Sequence, residues 1–391
     1  MRDGLDPGAL ARAALPVAAI ASLLVIPGLV ILAAQSAGTL GFDFLAYHQA
    51  ANRVLAGERL YDPTVQQTGG FGLFYYPPPF VLAVLPFALL PAATATWLWI
   101  GASMAMLVAG VALLPVRATV RWATLLLAGL SWPVAYALKL GQVGPLLFLL
   151  FAIGWRWLDR PLAVGAAGAV GAIVKIQPGL ILIWALLTRR LRAVVLGGAI
   201  LVVTALAATV VLGGIGVWQD YVALIRNVSD PITTPHNFTP GAAAYQAGVP
   251  AGLATAIQLL SSVLVVAAVI LAALRAPADA SLLVAIVASQ LLSPVLWDHY
   301  AMLLLLPVAW LLERRQWWAV LIPLVTSAVT LVVSLPAVIY PVMFWISLLG
   351  VLAVGLREGR PLAATATAAG PPSTDGRRSG AEPTGVVEAR G

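Results

Sequence analysis

The stretch LARAALPVAAIASLLVIPGLVILAA, Leu10 to Ala34, decides the fold class. Its 25 residues hold a single charge, Arg12. A bilayer core about 30 Å thick needs roughly 20 apolar residues in a helix. The run also exceeds the roughly 7–15 apolar residues at the centre of a signal sequence, so it reads as an uncleaved first membrane helix.

Working outward, the remaining 366 residues repeat this character. Of 391 residues 61% are hydrophobic and 9% are charged, with a mean hydropathy of +0.97. Soluble domains carry roughly 25% charged residues. The charge is also unevenly placed, because residues 357–391 hold nine of the 37 charged side chains. A water-soluble enzyme, a disordered protein and a coiled coil are excluded. The net charge of +7 invites a nucleic-acid reading, but the arginines stand singly or in short clusters between apolar runs, as cytoplasmic loops require. The expected fold class is all-α: a polytopic transmembrane bundle over residues 1–356, followed by a proline- and glycine-rich tail, 357–391, read as disordered and cytoplasmic.

About 280 residues remain once the tail and two long polar loops, 35–79 and 216–250, are set aside, enough for about 12–13 membrane segments. After the first helix these fall near 79–91, 94–115, 119–138, 143–158, 161–174, 177–188, 193–215, 251–274, 280–296, 299–312, 317–335 and 341–356. The positive-inside rule makes the N-terminus and the loops bearing Arg156/Arg160, Arg189/Arg190/Arg192, Arg275, Arg314/Arg315 and Arg357 cytoplasmic. Alternate counting sends Gly141-Gln142, Lys175–Pro178, loop 216–250, Asp298-His299 and Pro336–Pro341 to the outer face. Loop 35–79 joins them. Three full spans do not fit between that loop and Gly141, so one of the segments in 79–138 must be re-entrant or interfacial. Segments 161–174 and 177–188 are short and read as a broken-helix pair meeting at Lys175-Ile176-Gln177-Pro178. Within the first loop, Asp43–Ala56 places Phe44, Tyr47, Ala51, Val54 and Leu55 on one face of a short amphipathic helix, with Gly57 as its C-cap. Tyr75-Tyr76-Pro77-Pro78-Pro79 forms a stiff aromatic lead into the next helix.

In so uncharged a chain, ionisable groups near the membrane are the candidates for chemistry. Asp43 opens the amphipathic helix. It reads either as a first-turn or capping carboxylate or as a general base for an attacking hydroxyl. Lys175 is one of only two lysines, with Lys139, among 22 basic residues. It either snorkels to the interface or offsets charge on a lipid phosphate. Gln142 and Gln177 flank helix breaks and suit either backbone capping or sugar hydroxyls. Asp298 and His299 form the densest polar cluster, between Trp297 and Tyr300; the aromatic pair alone would fit an interfacial belt. His236 and Asn237 are further contacts for an acceptor. Cysteine is absent, only three histidines occur, and no spacing resembles a metal site, so neither metal nor cofactor is expected. Walker, GxGxxG-acid, GxSxG and HExxH motifs are also absent, which removes an ATPase, a soluble-type nucleotide-sugar enzyme and a membrane zinc protease.

The ordered set Gly41-Phe42-Asp43-Phe44, Gly57-Glu58-Arg59-Leu60-Tyr61, Tyr75-Tyr76-Pro77-Pro78, Gly141-Gln142, Lys175-Ile176-Gln177-Pro178 and Ser293-Pro294 with Trp297-Asp298-His299-Tyr300 resembles glycosyltransferase family 87, of the GT-C superfamily, across about residues 10–356. The resemblance implies a plasma-membrane hexosyltransferase moving a sugar, mannose above all, from a polyprenyl-phosphate donor to a glycolipid or cell-envelope glycan on the outer face, with inversion. It implies Asp43 as the base, Lys175 and His299 beside the donor phosphate, and Tyr75, Tyr76, Gln142, Gln177 and Asp298 around the substrates. Asp298 departs from the pattern, which as often has a small or neutral residue there. The partners expected are the sugar donor, the acceptor and the bilayer, with no nucleic acid. A transporter or flippase of lipid-linked sugars is the competing class, since it shares broken helices and a midplane lysine.

Overall fold

A computed structural model describes residues 7–65, 72–228, 230–330 and 335–359. Among them the chain is all helix and turn, as expected. The first half holds α1 (Pro7–Ser36), α2 (Phe42–Leu55), α3 (Pro78–Ala88), α4 (Ala92–Leu113), α5 (Ala118–Leu130), α6 (Trp132–Leu140) and α7 (Gly144–Arg156). There follow α8 (Pro161–Val174), α9 (Leu180–Leu187), α10 (Leu191–Val211), α11 (Gly216–Val228) and α12 (Pro240–Gln246). The chain continues through α13 (Ala251–Arg275), α14 (Ala278–Leu291), a 3₁₀ segment at Asp298–Leu304, α15 (Leu305–Glu313), α16 (Leu321–Thr326) and α17 (Ile339–Glu358). Five described helices are long and apolar enough to cross a bilayer, six if the α5–α6 pair, bent by 64°, is taken as one span, and six shorter apolar helices lie between them. The protein is a polytopic helical membrane protein.

The loop arginines Arg117, Arg190 and Arg314 lie at one end of this bundle, whereas Arg53 and Arg59 belong to the first polar loop. Arg117 holds Glu313 through Nε at 2.9 Å, and Arg314 reaches Asp279 at 3.1 Å and Glu358 at 2.7 Å. Arg190 donates to the Leu158 carbonyl at 2.6 Å. At the other end of α4, Thr96 abuts Gly41. The 22 residues of α4 span about 33 Å at 1.5 Å per residue, so the two ends are a bilayer core apart.

The segment that does not cross is α3. Its 11 residues reach only about 16 Å, and it packs against the first half of α2. Phe80 meets Tyr47 near its start, with ring centroids 5.5 Å apart. Phe87 meets Phe44 near its end at 5.8 Å, and the Leu90 carbonyl lies 3.1 Å from His48 Nε2. Both ends of α3 therefore stay beside α2, and the chain returns to the face it left. The parity of 79–138 closes with α4 and the bent α5–α6 pair as the two crossings. At that bend the freed Trp132 N–H donates to Ser327 Oγ at 3.0 Å, which satisfies a donor that lipid cannot.

The expected break at Lys175 is a tight turn in a helical hairpin. Lys175 is extended, and α9 folds back on α8 with Leu182 against Gly168 and Pro178 against Gly171. Its legs of 14 and 11 residues rise about 21 and 16 Å, so the tip stops at the depth of the polar cluster. Close approach of α8 and α10 rests on small residues: a Cβ on Gly165 would lie 2.5 Å from the Ala193 carbonyl oxygen. Loop 216–250 contains α11 and α12 rather than plain coil, and α17 runs on to Glu358, into the stretch 357–391 read as tail. Residues 360–391 lie outside the described residues.

Candidate active site

Two glycines in the left-handed region bring the site together. Gly57 (φ 72°) ends α2: its N–H reaches the Val54 carbonyl, and that of Glu58 reaches the Arg53 carbonyl. Gly141 (φ 69°) ends α6 in the same way, with its own N–H on Leu138 and that of Gln142 on Ala137. This second turn is clamped onto the start of α2. The Gly41 N–H donates to the Lys139 carbonyl at 2.8 Å, and Trp99 Nε1 donates to the Gly141 carbonyl at 2.8 Å. A Cβ on Gly141 would stand 2.6 Å from Phe44 Cβ. Only glycine permits both the turn and the approach. Gln142 thereby arrives beside Asp43, 99 residues earlier in the chain.

Asp43 makes no capping bond; the N-cap is Gly41, and no side chain caps α2. Its Oδ2 instead accepts a short hydrogen bond from Gln142 Nε2. Gln142 Oε1 accepts from Tyr76 OH at 3.2 Å, and the Tyr76 and Tyr47 hydroxyls are 2.5 Å apart. The first loop secures this set: Tyr61 OH donates to the Tyr76 carbonyl at 2.5 Å, and Arg53 donates to the Leu60 carbonyl at 3.1 Å.

Asp43, Tyr47, Tyr76 and Gln142 form one wall of a cavity of about 340 Å³. Tyr75, Tyr136, Lys139, His236, Phe238, Trp297, Asp298 and His299 line the rest. The second loop is strapped to the His299 wall, where the Phe238 N–H donates to the Leu296 carbonyl at 2.7 Å. His299 is 4% exposed, its Nδ1 is 3.4 Å from Asp298 Oδ1, and Nε2 has no hydrogen-bond partner. Such a buried nitrogen is a ready contact for a bound anion or hydroxyl.

The profile of glycosyltransferase family 87 matches residues 74–296, more than half of the chain. The chain belongs to glycosyltransferase family 87. No curated protein and no solved structure matched in the other two comparisons. The family match begins at Phe74 and ends at Leu296, so Asp43, Asp298 and His299 lie outside it. The cavity joins them to Tyr75, Tyr76 and Gln142, which lie inside it.

Of the eight site residues named from the sequence of this family 87 glycosyltransferase, Asp43, Tyr75, Tyr76, Gln142, Asp298 and His299 share the cavity. Lys175 stands behind that wall. Its Nζ donates to Tyr300 OH at 2.5 Å and lies 5.8 Å from the Tyr76 ring centroid. Gln177 is turned away and donates to Ser293 Oγ at 2.8 Å, a bond that ties the hairpin tip to the loop before the 3₁₀ segment. Asn237 also serves the scaffold: its side chain bonds the Pro231 and Pro294 carbonyls and the Thr239 and Leu296 N–H groups. Lys139 and Tyr136 reach the cavity without having been singled out as site residues, with Nζ 5.2 Å from the Tyr136 ring centroid. The scarcity of lysine, applied to Lys175, pointed equally to Lys139.

Burial raises the Asp43 pKa above the ordinary carboxylate value, and His299, the Gln142 hydrogen bond, Lys175 and Lys139 pull it partly back. Among the described residues no three His, Asp or Glu side chains converge as metal ligands would. The recess therefore joins two carboxylates, Asp43 and Asp298, with the nitrogens of Lys139 and His299 and a tyrosine-rich wall suited to sugar hydroxyls and ring faces.

Proposed function

We propose that this glycosyltransferase takes its sugar, mannose in the first instance, from a polyprenyl-phosphate donor and passes it with inversion to a glycolipid or cell-envelope glycan on the outer face. Asp43 is the base. The observation that carries the reading is the position of this carboxylate on one wall of a recess whose other walls hold Lys139, Asp298 and His299.

The acceptor hydroxyl attacks the anomeric carbon and Asp43 takes its proton. The new C–O bond forms as the bond from the anomeric carbon to the phosphate oxygen breaks on the opposite side. Polyprenyl phosphate leaves with that electron pair. His299 and Lys139 meet the growing negative charge directly, and Lys175 adds its field from behind Tyr300. Tyr75, Tyr76 and Asp298 contact the sugar and acceptor. The donor's lipid tail stays in the bilayer, which delivers it to the site.

The test incubates purified protein in detergent with radiolabelled polyprenyl-phosphate mannose and glycolipids extracted from the source membrane. Asp43→Asn keeps shape and hydrogen bonding but cannot accept a proton, so transfer falls by roughly 10²–10⁴-fold. Transfer retained by the variant overturns the assignment of the base. Product from polyprenyl-phosphate glucose or from a nucleotide sugar, with none from the mannose donor, overturns the assignment of the donor.

A further inference from the structure

We infer that Gln142 is a positioning residue for the base, locked by Tyr76 and Tyr47 so that its amide N–H holds Asp43 Oδ2 and leaves Oδ1 to take the proton. The inference rests on the reading of Asp43 as that base. It moves Gln142 from the substrate contacts, where the family resemblance had put it, to the machinery that aims the carboxylate.

An amide can present either its oxygen or its nitrogen, and the neighbours decide which. A Gln142 oxygen turned towards Asp43 would set two acceptors against each other in a buried site. The tyrosines remove that alternative. The Tyr76 hydroxyl donates to Gln142 Oε1 at 3.2 Å, and the Tyr47 hydroxyl lies 2.5 Å from that of Tyr76 and 3.5 Å from the same amide oxygen. Tyr47 is 1%, Gln142 6% and Tyr76 8% exposed, so water does not compete for these bonds. The order of donation runs from Tyr47 to Tyr76 to Gln142 to Asp43. Gln142 stands between the two tyrosine hydroxyls and Asp43, and the polarity of the set ends on the carboxylate. With both polar atoms of Gln142 engaged, its side chain has little capacity left for a sugar.

The arrangement also explains why a glutamine follows Gly141. The left-handed turn sets the backbone at residue 142 against α2, and a shorter side chain would not span from the tyrosines to Asp43. One oxygen of Asp43 is held and the other is left for chemistry, which fixes the direction from which the acceptor hydroxyl must approach.

The pH dependence of transfer separates this role from a substrate contact. The groups acting on Asp43 are Lys139 at the end of α6, Lys175 beside Tyr300, and His299 of the 3₁₀ segment, while Asp43 in turn acts on Tyr47, Tyr76 and Tyr136. None of these is altered by Gln142→Ala. That variant removes a hydrogen bond favouring the carboxylate, so the acid limb of kcat/KM moves to higher pH by roughly one unit. At the plateau kcat falls roughly 10- to 100-fold while KM for polyprenyl-phosphate mannose stays within about threefold. Gln142→Glu sets a second carboxylate against Asp43 and moves the limb further in the same direction. Tyr76→Phe, which frees the amide without touching Asp43, gives a smaller shift of the same sign and serves if the Gln142 variants fail to fold. An unmoved acid limb with raised KM makes Gln142 a substrate ligand and overturns the inference; an unmoved limb with lowered protein yield makes it purely structural and does the same. Asp43→Asn run alongside separates the two levels. If it is inactive and the Gln142 limb is unmoved, only the inference fails; if it is active, the base assignment falls and the inference with it.

Discussion

Gly141→Ala tests the clamp that creates the site. At φ 69° an alanine pays about 1–2 kcal/mol for a left-handed backbone. Its methyl group would also sit 2.6 Å from Phe44 Cβ, so α2 and the end of α6 must part by roughly 0.8 Å to restore ordinary contact. Phe44 is fully buried between Phe87 and Trp99 and has little room to retreat. Overpacking of this kind costs about 1–3 kcal/mol, for a total of roughly 2–5 kcal/mol. Two other glycines separate the contributions. Gly57 shares the conformation (φ 72°) but has nothing within 4 Å, so Gly57→Ala costs about 1 kcal/mol. Gly101 lies inside α4, also with nothing within 4 Å and without the left-handed turn, so Gly101→Ala is neutral or stabilises by roughly 0.5–1 kcal/mol. Thermal unfolding in detergent, followed by tryptophan fluorescence, should rank Gly101→Ala above wild type or level with it, then Gly57→Ala, then Gly141→Ala. The same separation moves Gln142 from Asp43 by more than the roughly 0.5 Å that a catalytic geometry tolerates. Transfer by Gly141→Ala therefore drops about tenfold or more at temperatures where it is still folded. If Gly141→Ala melts with Gly101→Ala and keeps full activity, the clamp does not hold the site together.

Further outcomes follow from the same geometry. Because burial raises the Asp43 pKa and the ionised form is the base, kcat/KM should rise with pH and its acid limb should lie above the ordinary carboxylate value; a limb at or below that value refutes the assignment. The same raised pKa means that the folded state loses stability as pH climbs from the unfolded value through the folded one. Asp43→Asn should thus be inactive yet melt no lower than wild type near neutral pH, and a clearly lower Tm contradicts the burial argument. His299→Ala should raise the KM for the polyprenyl-phosphate donor by roughly tenfold with little loss of stability, since its Nε2 has no protein partner; equal effects on KM for acceptor and donor would refute a phosphate contact. Arg314→Ala removes bonds to Asp279 and Glu358 and the stacking on Trp310, which join α14, α15 and α17 far from the cavity. These groups are a quarter to a third exposed, so the loss should be about 1 kcal/mol in melting, with kcat and KM unchanged in steady-state assays.

Much of the site was legible because charge is scarce. In a chain with 9% charged residues, each carboxylate or histidine away from an arginine loop stands out, and Asp43, Asp298 and His299 share one cavity. Lys175 and Gln177 stood out by the same logic but turn to Tyr300 and Ser293 instead. Lys139 shares that scarcity, and its place in the last turn of α6 is one any lysine suits, so nothing local marks it as the lysine that lines the cavity. Asp43 reads locally as a first-turn carboxylate as well as a base, and the structure adds that its side chain bonds Gln142, which no local pattern gives.

The sequence by itself determined the solvent of this protein, its helical class and most of the residues that meet in the recess. These are properties of composition and local pattern, which the bilayer enforces along the chain without reference to distant partners. Only the tertiary structure decided that α3 lies along α2 instead of crossing, because an apolar run is the same to lipid as to a neighbouring aromatic face. It also decided which lysine lines the cavity and what Gln142 holds. Those depend on a left-handed turn at Gly141 meeting a helix 99 residues away, a contact that no local pattern encodes.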